Sequence, residues 1–186
     1  MRTIVLFALR DEAPTLCDRY ANIHIIGVGK VQSAINAMRL IQHHLPDRVV
    51  SMGTAGGITL GHGIWRANRL VQHDVDHRPL GLPPGHTLGD PHPIIELGGQ
   101  GYTCGSGDLF VTNPKGLRML IDMVEMEAYS IARAAMLHGI DVEVWKYISD
   151  GANDSGAEEW TASVSAGEAL YLQTLESIGV KLEARS

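Results

Sequence analysis

The chain has 186 residues, 45% of them apolar and only 5% aromatic, with 21 glycines and a formal net charge of -6. This size predicts a single domain over residues 1–186 with one well-filled core. The acidic balance argues against nucleic acid as a partner, because phosphate binding needs concentrated Lys and Arg.

Residues 2–9 read as a strand with six apolar residues in a row, Ile4 to Leu9, as expected of a strand covered on both faces. The run is too short for a signal-peptide core, and no apolar stretch is long enough to span a membrane. Cys17 and Cys104 fit no zinc or CxxC spacing and read as reduced thiols of a cytoplasmic protein. Arg10, Asp11 and Glu12 close the first strand, and Pro14 suits the first turn of a short helix. Residues 22–29 (NIHIIGVG) read as a second strand ending in glycines. Residues 30–45 carry Val31, Ala34, Ile35, Met38, Ile41 and Leu45 at helical spacing, which predicts an amphipathic helix with Gln32, Asn36 and Arg39 outward. Pro46 ends it.

Residues 48–52 are a third buried strand running into a glycine turn, GTAGG, at 53–57. Residues 64–75 read as one or two strands. Residues 78–93 are the one long irregular segment, rich in proline, and loops of that length are usually functional. A short strand follows at 102–107. Asn113 and Pro114 look like the cap and first residue of a helix over 115–121. Then come a strand ending at Glu125, a helix with Ala128, Ile131, Ala132 and Ala135 on one face, a strand over 142–148, and a closing helix from about 158 to 178.

Regular alternation of strand and helix predicts an α/β fold: three αβα layers around a central mixed, largely parallel twisted sheet. Almost every predicted strand ends in Gly, Ser, Thr or an acid, and ligands of open α/β sheets bind beyond the carboxyl ends of the strands. Residues 124–154 concentrate this chemistry. If their two strands lie side by side, Glu125, Glu127 and Asp150 open onto one sheet edge.

Two tempting motifs fail. Gly27-Val28-Gly29-Lys30 lacks the earlier glycine and the Ser or Thr of a phosphate loop, and Gln32 replaces the third glycine of a dinucleotide fingerprint. His73 and His77 share one face of an extended segment, with no third metal ligand evident. They read as a polar strand end at a subunit contact, and no metal is expected.

Taken together, residues 8–13 (ALRDEA), 27–31 (GVGKV), 53–58 (GTAGGI), 106–111 (SGDLFV), 124–128 (VEMEA) and 148–154 (ISDGAND) resemble the nucleoside phosphorylase superfamily. The resemblance is strongest to its 5′-methylthioadenosine/S-adenosylhomocysteine nucleosidase branch, and it covers most of the chain in matching order. It implies cleavage of the bond between adenine and a 5′-substituted ribose, with no cofactor. Such a reaction passes through an oxocarbenium-like cation and needs an acid for the base, a carboxylate for water and a grip on the ribose. By the resemblance, Asp150 protonates adenine, oriented by Ser149, and Glu12 positions the water. Glu127 holds the ribose hydroxyls, Met126 packs under the sugar, and Phe110 stacks on adenine. The Val111 backbone reads the base edge, Ala55 and Gly56 line the base, and Thr54 sits near the anomeric carbon. Trp160 covers the sugar, and Leu9 and Val28 contact a 5′-alkylthio group. Glu125 reads as a structural acceptor. The partners implied are a small nucleoside, water and a second copy in a homodimer.

The chain departs from that pattern in being short between Glu12 and Gly27 and between Ser106 and Val124. Arg10 stands where relatives tend to have an acid, which leaves a phosphate-using nucleoside phosphorylase as the alternative. A nucleoside-binding protein without turnover is a further one. Glu12 favours hydrolysis, because a carboxylate at the phosphate position repels the anion.

Overall fold

The computed structural model describes residues 1–185. Its centre is one eight-stranded sheet. Strand β1 (Thr3–Phe7) pairs in parallel with β2 (Ile23–Ile25) on one side and β3 (Arg48–Gly57) on the other. On its other edge β3 pairs in parallel with β8 (Asp141–Asp150) along its whole length. Strand β4 (Gly63–Gln72) joins β8 antiparallel through its first half. Its second half pairs with β5 (Ile94–Glu96) and β6 (Tyr102–Ser106). Strand β7 (Met123–Glu125) bridges β6 and the end of β3. Five of the eight pairings are parallel, so the sheet is mixed and largely parallel.

Alternation along β1 shows why there are three layers. Ile4 and Leu6 face one core, with α2 (Lys30–His44) and α3 (Ala128–Met136); Val5 and Phe7 face a second, with α1 (Pro14–Arg19) and α5 (Glu168–Ser177). Residues on alternate sides of a pleated strand must each find apolar cover, and here both sides do. The C-terminal tail lies along residues 19–23, with Ala21 N donating to Glu183 O and Arg185 N to Arg19 O. Among the described residues, no helix is long and apolar enough to cross a membrane.

Several expectations are corrected. GTAGG is not a turn: β3 continues through Gly57, because Gly56 is paired on both edges, opposite Val124 and Asp150. The strands of 124–154 are therefore not neighbours. The end of β3 lies between them, and β7 runs antiparallel to it.

The face of α2 also differs. Ser33, Ala37 and Ile41 are buried, whereas Val31 and Ile35 are 71% and 57% exposed. Small side chains let α2 approach α3 closely enough for the Ser33 and Ser130 hydroxyls to hydrogen-bond. Asn36 is half-buried and donates to Ile26 O. The helix expected over 115–121 is a single 3-10 turn, Pro114–Gly116, although Asn113 does cap it. The closing helix is two: α4 (Gly156–Ser163) and α5.

Candidate active site

A cavity of about 380 Å³ opens beyond the ends of β1, β3, β7 and β8. It lies where β1 stops and β7 takes its place against β3. Leu9 and Glu12 come from the segment after β1, and Thr54, Ala55 and Gly56 from β3. Met126 and Glu127 follow β7, and Ser149 and Asp150 end β8. Val28 precedes α2, Phe110 and Val111 belong to the loop after β6, and Trp160 belongs to α4. All thirteen residues singled out from the sequence thus line one space. Ala8, Leu109, Val124, Glu125, Ala157 and Thr161 complete the wall.

Glu12 is buried in a short 3-10 turn. Its Oε1 accepts from Thr54 N at 2.7 Å and Thr54 Oγ1 at 2.9 Å, and its Oε2 accepts from Leu9 N at 3.0 Å. Gly53, at φ 145°, makes room: a Cβ there would fall 2.8 Å from Glu12 Oε1. Trp160 Nε1 donates to Thr54 Oγ1 at 3.1 Å, so indole, hydroxyl and carboxylate form a chain.

Asp150 is equally buried and accepts from Ser149 Oγ at 2.8 Å and Ala152 N at 2.9 Å. Ser149 is the extra residue of a β-bulge, since Ala55 lies opposite Ile148 and Gly56 opposite Asp150. Bulges beside active sites re-aim side chains in this way. A Cβ on Gly56 would come within 2.9 Å of Asp150 Oδ1. Gly53 and Gly56 stand three residues apart on an extended strand, about 10 Å. That separation suits a ligand with a sugar at one end and a base at the other.

Glu127 is the third carboxylate. Its Oε1 accepts from Gly29 N at 2.9 Å. Burial, and then the neighbouring Glu125 charge, push its pKa up to about 8. Glu125 itself is committed to structure. It accepts from Glu127 N, Ala128 N and Ser106 Oγ, and pairs with Lys146 Nζ at 2.8 Å. Burial opposes its ionisation, but Lys146 outweighs burial and holds its pKa below the usual carboxylate range.

Sequence reasoning missed Lys146 and the role of Ser106. The signal was present: Lys146 interrupts an otherwise apolar face of β8 formed by Val142, Val144 and Ile148, and a buried lysine requires a buried anion.

No Lys, Arg or His side chain lines the cavity among the described residues. Arg10 is mostly exposed and pairs with Asp18. Lys30 is taken up by Asp74. His73 packs on Gly105 and Gly107, and Asp76 pairs with Arg78. The arrangement is an apolar box holding three carboxylates with hydrogen-bond donors. It can place an acid at one end, a hydroxyl acceptor in the middle and a base for water at the other, and it offers nothing cationic to a phosphate.

Solved structures match the fold. The chain superposes on the futalosine hydrolase mutant of Helicobacter pylori strain 26695 with a TM-score of 0.82 at 22% identity, covering 95% of this chain and 99% of that one. It superposes on a mutant Helicobacter pylori 5′-methylthioadenosine/S-adenosylhomocysteine nucleosidase, with 5′-methylthioadenosine in its active site, with a TM-score of 0.84 at 21% identity, covering 95% and 98%. The fold is that of the nucleoside phosphorylase-like enzymes. No family model matches the sequence. The 5′-methylthioadenosine/S-adenosylhomocysteine nucleosidase of Haemophilus influenzae (strain PittEE) is 30% identical over 183 residues, 84% of this chain and 77% of the relative. The chain belongs to the 5′-methylthioadenosine/S-adenosylhomocysteine nucleosidase family.

Proposed function

We infer that this protein is a nucleosidase that hydrolyses the adenine–ribose bond of 5′-substituted adenosines: methylthioadenosine, S-adenosylhomocysteine or 5′-deoxyadenosine. One observation carries the reading over phosphate-dependent cleavage. The cavity presents Glu12, Glu127 and Asp150 and no basic side chain among the described residues. A phosphate dianion would face the Glu12 carboxylate and two further acids without any counter-charge.

Asp150 acts as the acid. Its proton passes to N7 of adenine as the glycosidic electrons move into the base, which neutralises the leaving group. The ribosyl cation left behind is stabilised by surrounding carboxylates. Glu12, its oxygens fixed by Leu9 and Thr54, aligns a water molecule with the anomeric carbon. The water oxygen bonds to that carbon and its proton passes to Glu12. Glu127 takes the ribose hydroxyls, with Met126 beneath the sugar. Phe110 and the Val111 backbone hold adenine beside Ala55 and Gly56, and Ser149 keeps Asp150 aimed. Leu9, Val28 and Trp160 enclose the 5′ substituent.

The functional unit is a cytoplasmic homodimer of single-domain subunits. Val28, Val31, Ile35, Leu109 and Phe110 are all exposed, on α2 and at the cavity mouth. Lys30 N donates to Asp108 Oδ1, so these two groups are neighbours. A second copy on this face would bury them and close the 5′ end of the cavity.

The test is adenine release from 5′-methylthioadenosine in phosphate-free buffer. The intact protein releases adenine, and Asp150→Asn lowers the rate by about 10²–10⁴-fold. No release by the intact protein, or equal release by the variant, would overturn the reading. Tight adenine binding without turnover would instead favour a binding protein.

A further inference from the structure

The walls that face ribose and base come from segments far apart in sequence. Three polar side chains outside the cavity join them. Lys30 begins α2, and its Nζ lies 2.6 Å from Asp74 Oδ1 and 3.2 Å from Gln72 Oε1. The side chains of Lys30 and Asp74 are only 17% and 13% exposed. Asp74 Oδ2 accepts from Asp108 N at 2.9 Å, and Asp108 Oδ1 accepts from Lys30 N at 2.7 Å. The contacts close a ring through three side chains and the main-chain N–H groups of Lys30 and Asp108.

Each side of the ring touches the site within two residues. Gly29, just before Lys30, donates its N–H to Glu127. Leu109 and Phe110, just after Asp108, stand at the cavity mouth. A Cβ on Gly29 would come within 2.9 Å of Asp108 Oδ1, and its φ of 89° suits glycine, so the two segments meet as closely as a backbone allows. Burial opposes ionisation of Asp74, but the Lys30 ammonium and the Asp108 N–H outweigh it and hold its carboxyl below the usual range. The lysine of the failed phosphate-loop motif and the aspartate that follows His73 thus neutralise one another.

We propose that Lys30, Asp74 and Asp108 are positioning residues that fix the distance between the Glu127 ribose site and the Phe110 base wall, and so set how tightly nucleoside is held. None of the three lines the cavity. Their effect passes through Gly29 to Glu127 and through the 108–111 loop to the base. The inference rests on the nucleosidase reading of that cavity.

Three substitutions test it in the intact chain: Lys30→Met, which keeps the stem; Asp74→Asn, which keeps the shape; and Lys30→Arg, which keeps the charge. Small displacements of binding groups have large effects, so the first two each raise KM for 5′-methylthioadenosine about tenfold while kcat stays within about twofold. The pair together does no more than either alone, because the two residues share one interaction. Lys30→Arg recovers most of the loss. Adenine binding, read by calorimetry, weakens in the same variants. Unchanged KM and adenine affinity in folded Lys30→Met and Asp74→Asn would overturn the proposal, as would additive losses in the double variant. If the intact protein releases no adenine, the nucleosidase reading fails, while adenine affinity still decides the positioning role.

Discussion

Replacing Lys146 with methionine removes one half of a buried ion pair and leaves the other in place. Lys146 Nζ lies 2.8 Å from Glu125 Oε2, with side-chain exposures of 2% and 1%. The aliphatic stem is preserved by methionine, so packing changes little. Glu125 then keeps its Ser106, Glu127 and Ala128 donors but loses its cation. Breaking a buried pair this way costs about 3–5 kcal/mol. For a chain of this length each kcal/mol moves Tm by about 2–4 °C, so the midpoint falls roughly 6–20 °C. Calorimetry and urea unfolding both read it. Adding Glu125→Gln removes the stranded charge, and the double variant regains much of the loss. A cost below about 1 kcal/mol, the scale of an exposed pair, would refute the reasoning.

The pH dependence of stability follows from Glu127. Its pKa of about 8 in the folded chain lies above the ordinary 4.5. Below the ordinary value both states hold the proton. As pH rises from there towards 8 the unfolded chain ionises while the folded one resists, so Glu127 makes the unliganded protein progressively less stable. Glu127→Gln flattens that part of the urea-midpoint profile; an unchanged slope would contradict it. Trp160→Phe keeps the ring and removes the donor that fixes the Thr54 hydroxyl towards Glu12. One hydrogen bond of about 1 kcal/mol corresponds to a kcat lower by about fivefold with KM little changed, and an unaltered kcat would contradict it. Val31→Lys with Ile35→Lys places charge on the exposed face of α2. Sedimentation then shows monomers where the unaltered protein shows dimers, whereas dimers that survive both charges would place the contact elsewhere.

Strand β1 and the first half of β3 were legible in the sequence because burial on both faces writes a largely apolar run, and β8 was legible from Val142, Val144 and Ile148 although Glu143 and Lys146 interrupt it. The helix bounds of α2 were legible too, because Pro46 and the preceding periodicity mark them. Its buried face was not. Ser33 and Ala37 pack on α3 because they are small, a criterion that hydropathy does not register. The 115–121 segment buries little beyond Ile121, too little for a helix that short to form. The closing helix breaks near Gly167, where the backbone packs on the Tyr147 ring so closely that a Cβ would lie 2.7 Å from it. Glu168 then caps α1 by accepting from Leu16 N. Strand β5 is only three residues long and carries no period of its own.

The cavity residues were readable because Glu12, Glu127, Asp150 and their glycines occur in short motifs at strand ends. The partners that hold Glu125 were not, because Ser106 and Lys146 lie on separate strands that only the sheet brings together. Nor was the antiparallel course of β7, which three residues cannot specify.

Hydrolysis is the central claim, and phosphate tests it most directly. 5′-Methylthioadenosine is incubated with the protein, with and without added phosphate, and the sugar product is identified by NMR. Equal rates and a free reducing sugar in both conditions are predicted, because the cavity offers three acidic side chains and no cation among the described residues. A rate that requires phosphate, with a sugar 1-phosphate as product, would contradict the account.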